Sequence, residues 1–323
     1  MEKAKNGRNI WGSVKKILQK TGIFWALILL IVILANITPT FFTTKNFLNI
    51  FKQASITSIL AIGMTFVLLS GGIDLSVGSV AALAGVFAAY VGMEAKGMPI
   101  IVCFAVAVLI GLICGAINGI GVAYVKFPPF IMTLGMMGMA RGAAQVFTEG
   151  KPIWGLVDGF AEVAGGVTLG VPNLVYYMLA IYIISAFVLK RTVFGRRIYS
   201  IGGNIEATRL SGVNVKAHTM SVYMICGALA GVCGMLTASR ITSGNPTAAT
   251  AYEMDAIAAA VIGGVSMTGG FGNVTGTIIG AFILIIIQNG FDILGISPFY
   301  KTIVQGGIIL LAVLFDIKSK AKK

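Results

Sequence analysis

Residues 98–125 read MPIIVCFAVAVLIGLICGAINGIGVAYV, a run without a single charged side chain. A helix needs about 20 apolar residues to cross the hydrocarbon core of a bilayer, so this run predicts a transmembrane helix. Nine further apolar runs accompany it, in a chain with 57% hydrophobic residues, 11% charged residues and a mean hydropathy of +0.93. No soluble core could bury so many apolar side chains. The sequence therefore predicts an all-α integral membrane protein of about ten transmembrane helices, without room for a soluble catalytic domain.

Most of the ten apolar runs are adequate for a membrane span, and one is short. Their predicted bounds are Gly22 to Ile37, Ile50 to Leu69, Ser79 to Met93, Met98 to Val125, Phe130 to Phe147, Leu174 to Leu189, Thr219 to Ala238, Met254 to Met267, Val274 to Phe291 and Phe299 to Phe315. The eighth run is shorter than a span requires, so a broken or re-entrant helix is an alternative there. The first run follows a basic segment, as in a signal peptide, but the absence of a small-x-small cleavage site indicates an uncleaved span.

The net charge of +13 is concentrated in three basic groups, each next to an apolar run. The groups are Lys3, Lys5, Arg8, Lys15, Lys16 and Lys20; Lys190, Arg191, Arg196, Arg197, Arg209 and Lys216; and Lys318, Lys320, Lys322 and Lys323. Cytoplasmic segments are rich in Lys and Arg, so topology explains these groups and nucleic-acid binding is not predicted. Ten spans place all three groups on the cytoplasmic side, whereas nine or eleven would not.

This topology divides the chain into three parts. We predict a cytoplasmic basic N-terminus at 1–21, a single transmembrane domain at 22–316 and a basic C-terminal tail at 317–323. The transmembrane domain contains a cytoplasmic loop at 190–218. The outer loop, Thr148 to Asn173, is predicted to be an irregular cap that can include a short surface helix.

Two residue types bear on metal binding and catalysis. The four cysteines, Cys103, Cys114, Cys226 and Cys233, lie within apolar runs and lack metal-like spacing. His218 is the sole histidine, which excludes a catalytic triad and makes a histidine metal site a poor interpretation. The sequence predicts neither a metal site nor an enzyme.

Glycines recur at helical spacing within several runs. Gly111, Gly115 and Gly119 are four residues apart, and the pairs Gly227 with Gly231 and Gly276 with Gly280 repeat the spacing. In lipid, small residues let helix backbones approach closely. The stripes therefore predict a tightly packed bundle.

Polar side chains inside the apolar runs are candidates for a translocation path, because burying each in lipid is unfavourable unless it is paired or hydrated. The candidates are Asp74, Asn118, Arg141, Asp255, Gln288 and Asn289. Asp74 lies in the glycine-rich break GGIDLSVGS at 71–79, where capping of the next helix is the alternative explanation. Arg141 lies well inside the fifth run and should face protein, water or a carboxylate, unless it snorkels.

The cytoplasmic loop contains the signals of a short helix. Asn204 is a good N-cap, Glu206 suits the first turn, Arg209 follows three residues later and Gly212 suits the C′ position. We predict a helix from Ile205 to Ser211, and its two end signals favour a docking element over a plain connector. The chain has no GxxxxGK[ST] phosphate loop, so ATP would have to bind to a partner.

Four long strings in this sequence point to a known family. They are GMTFVLLSGGIDLSVGSVAALAG (63–85), PPFIMTLGMMGMARG (128–142), FGRRIYSIGGNIEATRLSGVNV (194–215) and YEMDAIAAAVIGGVSMTGGFGNVTGT (252–277). The chain resembles the ribose-type branch of bacterial ABC importer permeases, which galactoside and autoinducer-2 systems share. The resemblance runs in order from Asn46 to Asp316.

This resemblance implies a type II ABC importer permease fold of ten helices in the bacterial cytoplasmic (inner) membrane, with both termini cytoplasmic. It implies a dimer of permeases, a pair of ATPase subunits that bind ATP and Mg²⁺, and an extracytoplasmic sugar-binding protein; the permease itself holds no cofactor. Such a transporter moves a monosaccharide by alternating access, and a ribose-like sugar is the first expectation. The residues matching the family's ATPase-coupling element are Gly202, Gly203, Asn204, Glu206, Ala207, Arg209, Leu210, Ser211 and Gly212.

Two other functional classes are alternatives to an importer permease. A stand-alone secondary transporter could use the intramembrane carboxylates Asp74, Asp255 and Asp292 for ion coupling. A membrane-embedded enzyme would need convergent histidines, cysteines or paired carboxylates, which the sequence does not offer. The sequence does not distinguish ribose from hexoses, autoinducer-2 or other small polyols, nor a homodimer of permeases from a heterodimer.

Overall fold

The computed structural model describes residues 24–25, 27–297, 299–300, 302–307, 310 and 314. The predicted N-terminus at 1–21 and the predicted tail at 317–323 lie outside the described residues, as do parts of the first and last apolar runs. The described chain is mostly helical. Each of the ten predicted runs contains helical residues within the described part of the chain.

The helices follow the apolar runs in order. They are α1 (Leu27–Ile37), α2 (Thr44–Leu69), α3 (Val77–Val91), α4 (Ile100–Ile120), α5 (Pro129–Thr148), α6 (Phe160–Gly165), α7 (Asn173–Arg191), α8 (Val193–Gly203), α9 (Ile205–Leu210), α10 (Val215–Ile241), α11 (Tyr252–Ile262) and α12 (Val274–Ile293). A π-turn, Gly121–Val125, continues α4, and short 3-10 turns occur at Pro39–Phe42 and Glu94–Lys96. Residues 299–300, 302–307, 310 and 314 are helical in the last run.

Five helical segments are long and apolar enough to cross a membrane, counted over the described residues. They are Thr44–Leu69, Ile100–Val125, Asn173–Arg191, Val215–Ile241 and Val274–Ile293, while α1 and α3 are shorter apolar helices. Helix α11 ends at Ile262, before the predicted run does, and turns occupy 263–273. The expectation of a short eighth helix is thus confirmed.

Helix α2 lies at the centre of the bundle. Helices α7, α10, α11 and α12 pack around it, and 89% of its most hydrophobic stretch is buried. A helix that is apolar on all sides has to be buried in protein or lipid, and α2 achieves this within its own chain. In contrast, only 28% of the corresponding stretch is buried in α4 and in α7, so both helices present broad apolar faces outward.

The glycine stripes lie at helix contacts, as predicted. A Cβ atom added to Gly111 would overlap the carbonyl oxygen of Gly227, so α4 and α10 touch backbone to backbone. Helices α11 and α12 meet in the same way, because a Cβ atom on Gly276 would overlap the carbonyl oxygen of Gly263. Close packing of this kind holds helices together where no hydrophobic drive acts between them.

Both long loops contain more structure than the sequence predicts. The predicted outer loop holds α6, the short helix expected there, and a hairpin of two-residue strands, in which Val167–Thr168 (β1) pairs antiparallel with Val171–Pro172 (β2). The predicted cytoplasmic loop, 190–218, holds α8 as well as α9. The four cysteines are buried and form no disulfide bonds, which agrees with their positions within apolar runs.

Candidate functional site

Helix α9 is capped at both ends. The side chain of Asn204 accepts a hydrogen bond of 2.9 Å from the backbone N–H of Ala207, and Gly212 adopts a φ of +82° after the helix. The guanidinium of Arg209 donates two hydrogen bonds, of 3.0 and 2.8 Å, to one carboxylate oxygen of Glu206. The predicted caps and charge pair are confirmed, and the observed helix ends one residue before the predicted end at Ser211.

Helix α9 presents nearly all its side chains outward. Thr208 is its one buried residue, with 2% of its surface exposed, whereas Leu210 is 80% exposed. The hydroxyls of Thr208 and Ser200 lie 2.9 Å apart, which links α9 to α8. Among the residues that match the family's coupling element, Gly202 alone is partly buried and the others are exposed. An exposed, capped helix of this kind can bind a partner without unfolding any part of the bundle.

Helix α8 connects α9 to the membrane-embedded part of the chain. A Cβ atom added to Gly202 would overlap the carbonyl oxygen of Leu69 and lie 2.5 Å from the backbone nitrogen of Gly270. The hydroxyl of Tyr199 donates a hydrogen bond of 2.8 Å to the carbonyl oxygen of Gly272. Burial raises the pKa of the Tyr199 phenol, so the hydroxyl stays protonated and remains a donor at physiological pH.

A pocket of about 700 Å³ lies between α9 and the break that follows α2. Its wall includes Ile205, Glu206 and Arg209 on one side and Gly71 and Gly72 on another. Lys126 and Lys216 also line it. On its bundle-facing side, α9 therefore borders open space.

Asp74 and Asn118 meet at the break between α2 and α3. One carboxylate oxygen of Asp74, which is 1% exposed, accepts hydrogen bonds of 2.8 Å from the Ser76 backbone N–H and 2.6 Å from the Ser76 hydroxyl. The amide of Asn118 donates to the same hydroxyl at 2.9 Å, and its Oδ1 atom has no hydrogen-bond partner within the described part of the chain. Asp74 thus closes the turn that precedes α3, with Ser76 at the N-cap position.

Arg141 holds the loop between α10 and α11. Its guanidinium, on α5, donates hydrogen bonds of 2.7 Å to the carbonyl oxygens of both Pro246 and Ala248. Three residues of this segment adopt positive φ without being glycine, namely Thr242 (53°), Ala249 (53°) and Ala251 (66°). Such conformations are unfavourable and persist only where surrounding contacts hold them. Arg141 supplies two of those contacts from a neighbouring helix.

The remaining three candidates form two further groups. Asp255, on α11, accepts hydrogen bonds of 2.9 Å from the amide of Gln288 and 2.7 Å from the amide of Gln305. Asn289 exchanges two amide hydrogen bonds with Asn46, across α12 and α2. The six candidates are therefore not one cluster but four separate polar groups.

Sequence patterns do not reveal several members of these groups. The structure adds Ser76, Asn46, Gln305 and Tyr199, each of which completes a polar contact. Ser76 and Asn46 lie at helix ends, where polar residues are ordinary, and Tyr199 lies in α8, which the sequence did not predict. Two signals were available: Gln305 interrupts the last apolar run, and Ser76 follows Asp74 by two residues, a spacing typical of an Asx turn.

Comparison with known proteins identifies the family. The chain is 45% identical to the ribose import permease protein RbsC of Escherichia coli (strain K12) over 303 residues, 91% of this chain and 92% of the relative. It is 41% identical to RbsC of Bacillus subtilis (strain 168) over 307 residues, 94% and 95% of the two chains. It is also 36% identical to the D-allose transport system permease protein AlsC of E. coli (strain K12) over 298 residues, 92% and 91%. No solved structure matches the chain.

The family model described as branched-chain amino acid transport system / permease component matches residues 46–313. That range contains every helix from α3 to α12, nearly all of α2, and all the candidate site residues. The chain belongs to this family of transport-system permeases.

Proposed function

We propose that this chain is the permease subunit of an ATP-binding-cassette importer that moves ribose, or a closely similar monosaccharide, across a bacterial cytoplasmic membrane. The observation that carries the proposal is the 45% identity, over 91% of the chain, to a protein named as a ribose import permease. The more distant relative is named for D-allose, another monosaccharide. A neutral, hydroxyl-rich solute also suits a path bordered by amides and hydroxyls rather than by many fixed charges.

The proposed architecture has ten spans in a type II importer fold, with both termini in the cytoplasm. Its support is the ordered series of apolar helices and the placement of the basic groups beside them. Two permease copies would face each other across the path. Helix α5 suits such an interface, because a Cβ atom on Gly135, Gly138 or Gly142 would meet nothing within 4 Å.

The proposed ATPase contact is α9 with its flanking glycines. Its support is the capped ends, the exposed Leu210 and the absence of a phosphate-binding loop in this sequence. In this proposal the ATPase partner binds ATP and Mg²⁺, a separate protein delivers the sugar from outside, and the permease is not itself an enzyme. ATP-driven closure of the ATPase pair would move α9 and alternate the access of the path.

The proposed translocation path passes near the polar residues Asp74, Asn118, Arg141, Asp255, Gln288 and Asn289. Each lies inside or at the head of an apolar helix or in a break between two of them. The four polar groups that they form would border the path at different depths. Their hydrogen bonds to one another also fix the helices that frame it.

Uptake in whole cells tests the proposal. Cells that lack their own ribose permease would express this chain with its ATPase and sugar-binding partners, and uptake of labelled ribose would be measured. Excess unlabelled D-allose and leucine would compete in parallel samples. We expect ribose uptake, stronger competition by D-allose than by leucine, and loss of uptake when the ATPase is inactivated. Uptake that persists without the ATPase and collapses with an uncoupler would instead indicate a secondary transporter.

The docking role of α9 has its own test. Leu210→Asp places a charge on an 80% exposed apolar side chain of α9, so the ATPase should no longer copurify while the permease still inserts. Leu169→Asp is the matched control, because Leu169 is 92% exposed in the outer loop. Copurification of the ATPase at normal yield with Leu210→Asp, together with normal uptake, would contradict the docking role.

A further inference from the structure

Three pairs of neighbouring glycines, far apart in the sequence, meet at one point of the structure. They are Gly71–Gly72 after α2, Gly202–Gly203 at the end of α8 and Gly269–Gly270 between α11 and α12. A Cβ atom on Gly269 would lie 2.8 Å from the Cα atom of Gly202 and 3.0 Å from that of Gly71. We call these six residues the glycine junction.

Five of the six junction residues meet backbone to backbone, whereas Gly72 packs against the side chain of Tyr223. The backbone N–H of Gly270 donates a hydrogen bond of 3.0 Å to the carbonyl oxygen of Leu69, and Gly202 packs against both atoms so closely that no side chain would fit. Groups packed at van der Waals distance cannot move independently, since protein interiors transmit displacement with little compression. A shift at the end of α8 must therefore shift the end of α2 and the turn after α11 with it.

Tyr199 makes a second connection between α8 and the same turn. Its hydroxyl donates to the carbonyl oxygen of Gly272, two residues beyond the Gly269–Gly270 pair. Gly272 has a φ of +141°, so its backbone depends on glycine and on contacts that hold this conformation. The Tyr199 hydroxyl is one such contact. One turn of α8 thus contacts the 263–273 segment at two places.

Helix α9 reaches the two breaks through its neighbours α8 and α10. Its bundle-facing side borders the pocket of about 700 Å³, and its buried Thr208 is paired with Ser200 of α8. Helix α10 reaches the 70–76 break, where the hydroxyl of Tyr223 donates to the carbonyl oxygen of Ile73 at 3.2 Å, whereas α8 contacts both the end of α2 and the 263–273 segment. Residues 70–76 and 263–273 in turn join α2 to α3 and α11 to α12, which pack against one another around α2.

We propose that Tyr199 and Gly202 are positioning residues of the transport cycle, which carry movement of α9 to the segments 70–76 and 263–273. The inference rests on the proposed function, in which an ATPase moves α9. The proposed role does not require either residue to contact the sugar. Their role is to make both breaks follow α8, so that the cytoplasmic ends of four packed helices change position together when ATP binds.

Purified components provide the test. The permease, its ATPase and its sugar-binding protein would be reconstituted in liposomes, and ribose uptake and ATP hydrolysis would be measured together. The test variants are Gly202→Ala and Tyr199→Phe; with Tyr199→Phe, which lies outside the proposed ATPase contact, we expect the ATPase to bind and hydrolyse ATP at the wild-type level. Ribose transported per ATP should fall by about 5- to 100-fold, the usual range of a coupling free energy between two sites.

Two matched variants control for the substitutions themselves. Gly165→Ala adds a methyl group to a helical glycine of α6 that has nothing within 4 Å, and Tyr124→Phe removes an exposed phenolic hydroxyl next to Lys216. Both should keep the wild-type ratio of transport to hydrolysis.

A labelling experiment separates transmission from a purely structural role. Thr268 is exposed in the 263–273 segment, and the four native cysteines are buried, so Thr268→Cys gives a single reactive thiol. Its alkylation rate should change when ATP and vanadate are added to the otherwise wild-type transporter. Tyr199→Phe should abolish that change without altering the rate in the absence of nucleotide.

The outcomes are distinguishable. A wild-type ratio of transport to hydrolysis in both variants overturns the inference, and so does loss of ATPase binding with Tyr199→Phe, which would place Tyr199 in docking instead. If Gly202→Ala fails to insert, Tyr199→Phe decides, because it removes a single oxygen atom. A wild-type transporter without ATP-driven ribose uptake would overturn the proposed function rather than this inference.

Discussion

Asn46 and Asn289 exchange two amide hydrogen bonds, of 3.1 and 2.7 Å, between the first turn of α2 and the last turns of α12. Asn289 is 3% exposed, whereas Asn46 is half-buried and also donates a hydrogen bond of 2.9 Å to the carbonyl oxygen of Phe41. Removal of the Asn46 side chain therefore leaves the Asn289 amide buried without this partner, at a cost of about 1–3 kcal/mol.

A double-mutant cycle measures this pair. Asn46→Leu and Asn289→Leu, alone and combined, should show a coupling energy of about 0.6 to 1.7 kcal/mol in unfolding by detergent, as for other polar pairs in membranes. Asn36→Leu provides the control, because among the described residues the Asn36 amide bonds only to the carbonyl oxygen of Val32, one turn earlier. A cycle of Asn36 with Asn289 should show no coupling. Equal coupling in both cycles would contradict the assignment.

Loss of the N-cap of α9 should reduce ATPase binding and ribose uptake more than loss of the N-cap of α10. Asn204→Ala removes the cap of a helix of six residues, with an expected cost of about 1 kcal/mol, or about fivefold in the population of the folded helix. ATPase copurification and ribose uptake should both decrease, and Asn204→Ser should restore them. Asn214 caps the 27-residue helix α10 in the same way, and Asn214→Ala should have little effect. Comparable losses from both alanine variants would argue against a specific role for α9.

Arg141 should control the order of the loop between α10 and α11. Arg141→Leu leaves the carbonyl oxygens of Pro246 and Ala248 without their donor, at a cost of about 1–3 kcal/mol. Ser243, in the same loop, is 2% exposed, so a Ser243→Cys thiol should react slowly in the wild-type background and faster with Arg141→Leu. Ribose uptake should fall in parallel. Unchanged labelling and uptake would mean that Arg141 only snorkels.

Two glycines distinguish packed from open helix faces. Gly111→Ala forces a methyl group into the carbonyl oxygen of Gly227, so α4 and α10 must separate, with an expected cost of about 1–3 kcal/mol. Gly165→Ala, on α6, meets nothing within 4 Å and lies outside the proposed interface between permease copies. In detergent, the first variant should lower the midpoint of thermal unfolding and the second should not. Equal shifts would show that general helix effects, rather than the contact, determine the result.

Local signals made α9 predictable and left α8 unrecognised. Asn204 and Gly212 mark the ends of α9 because capping involves only neighbouring residues. Helix α8, in contrast, contains Gly195, Gly202 and Gly203, which all lower helix propensity. It is held instead by tertiary contacts, including the burial of Ile198 and Ile201.

The polar residues show the same division. Asp255 and Gln288 stand out in sequence because they interrupt apolar runs, which identifies them as residues that need partners. Asp255, Gln288 and Gln305 form one hydrogen-bonded group only because of how α11, α12 and the last run are arranged in space. The glycine junction is equally invisible in sequence, because each of its three pairs looks like an ordinary turn.

The proposed function requires that this permease moves ribose only while an ATPase partner hydrolyses ATP. Its most direct test is ribose uptake by liposomes that contain the purified permease and ATPase, with binding protein outside and ATP inside. We predict uptake that requires both ATP and the binding protein and that an uncoupler does not affect. Uptake by the permease alone, driven by an ion gradient, would contradict the account.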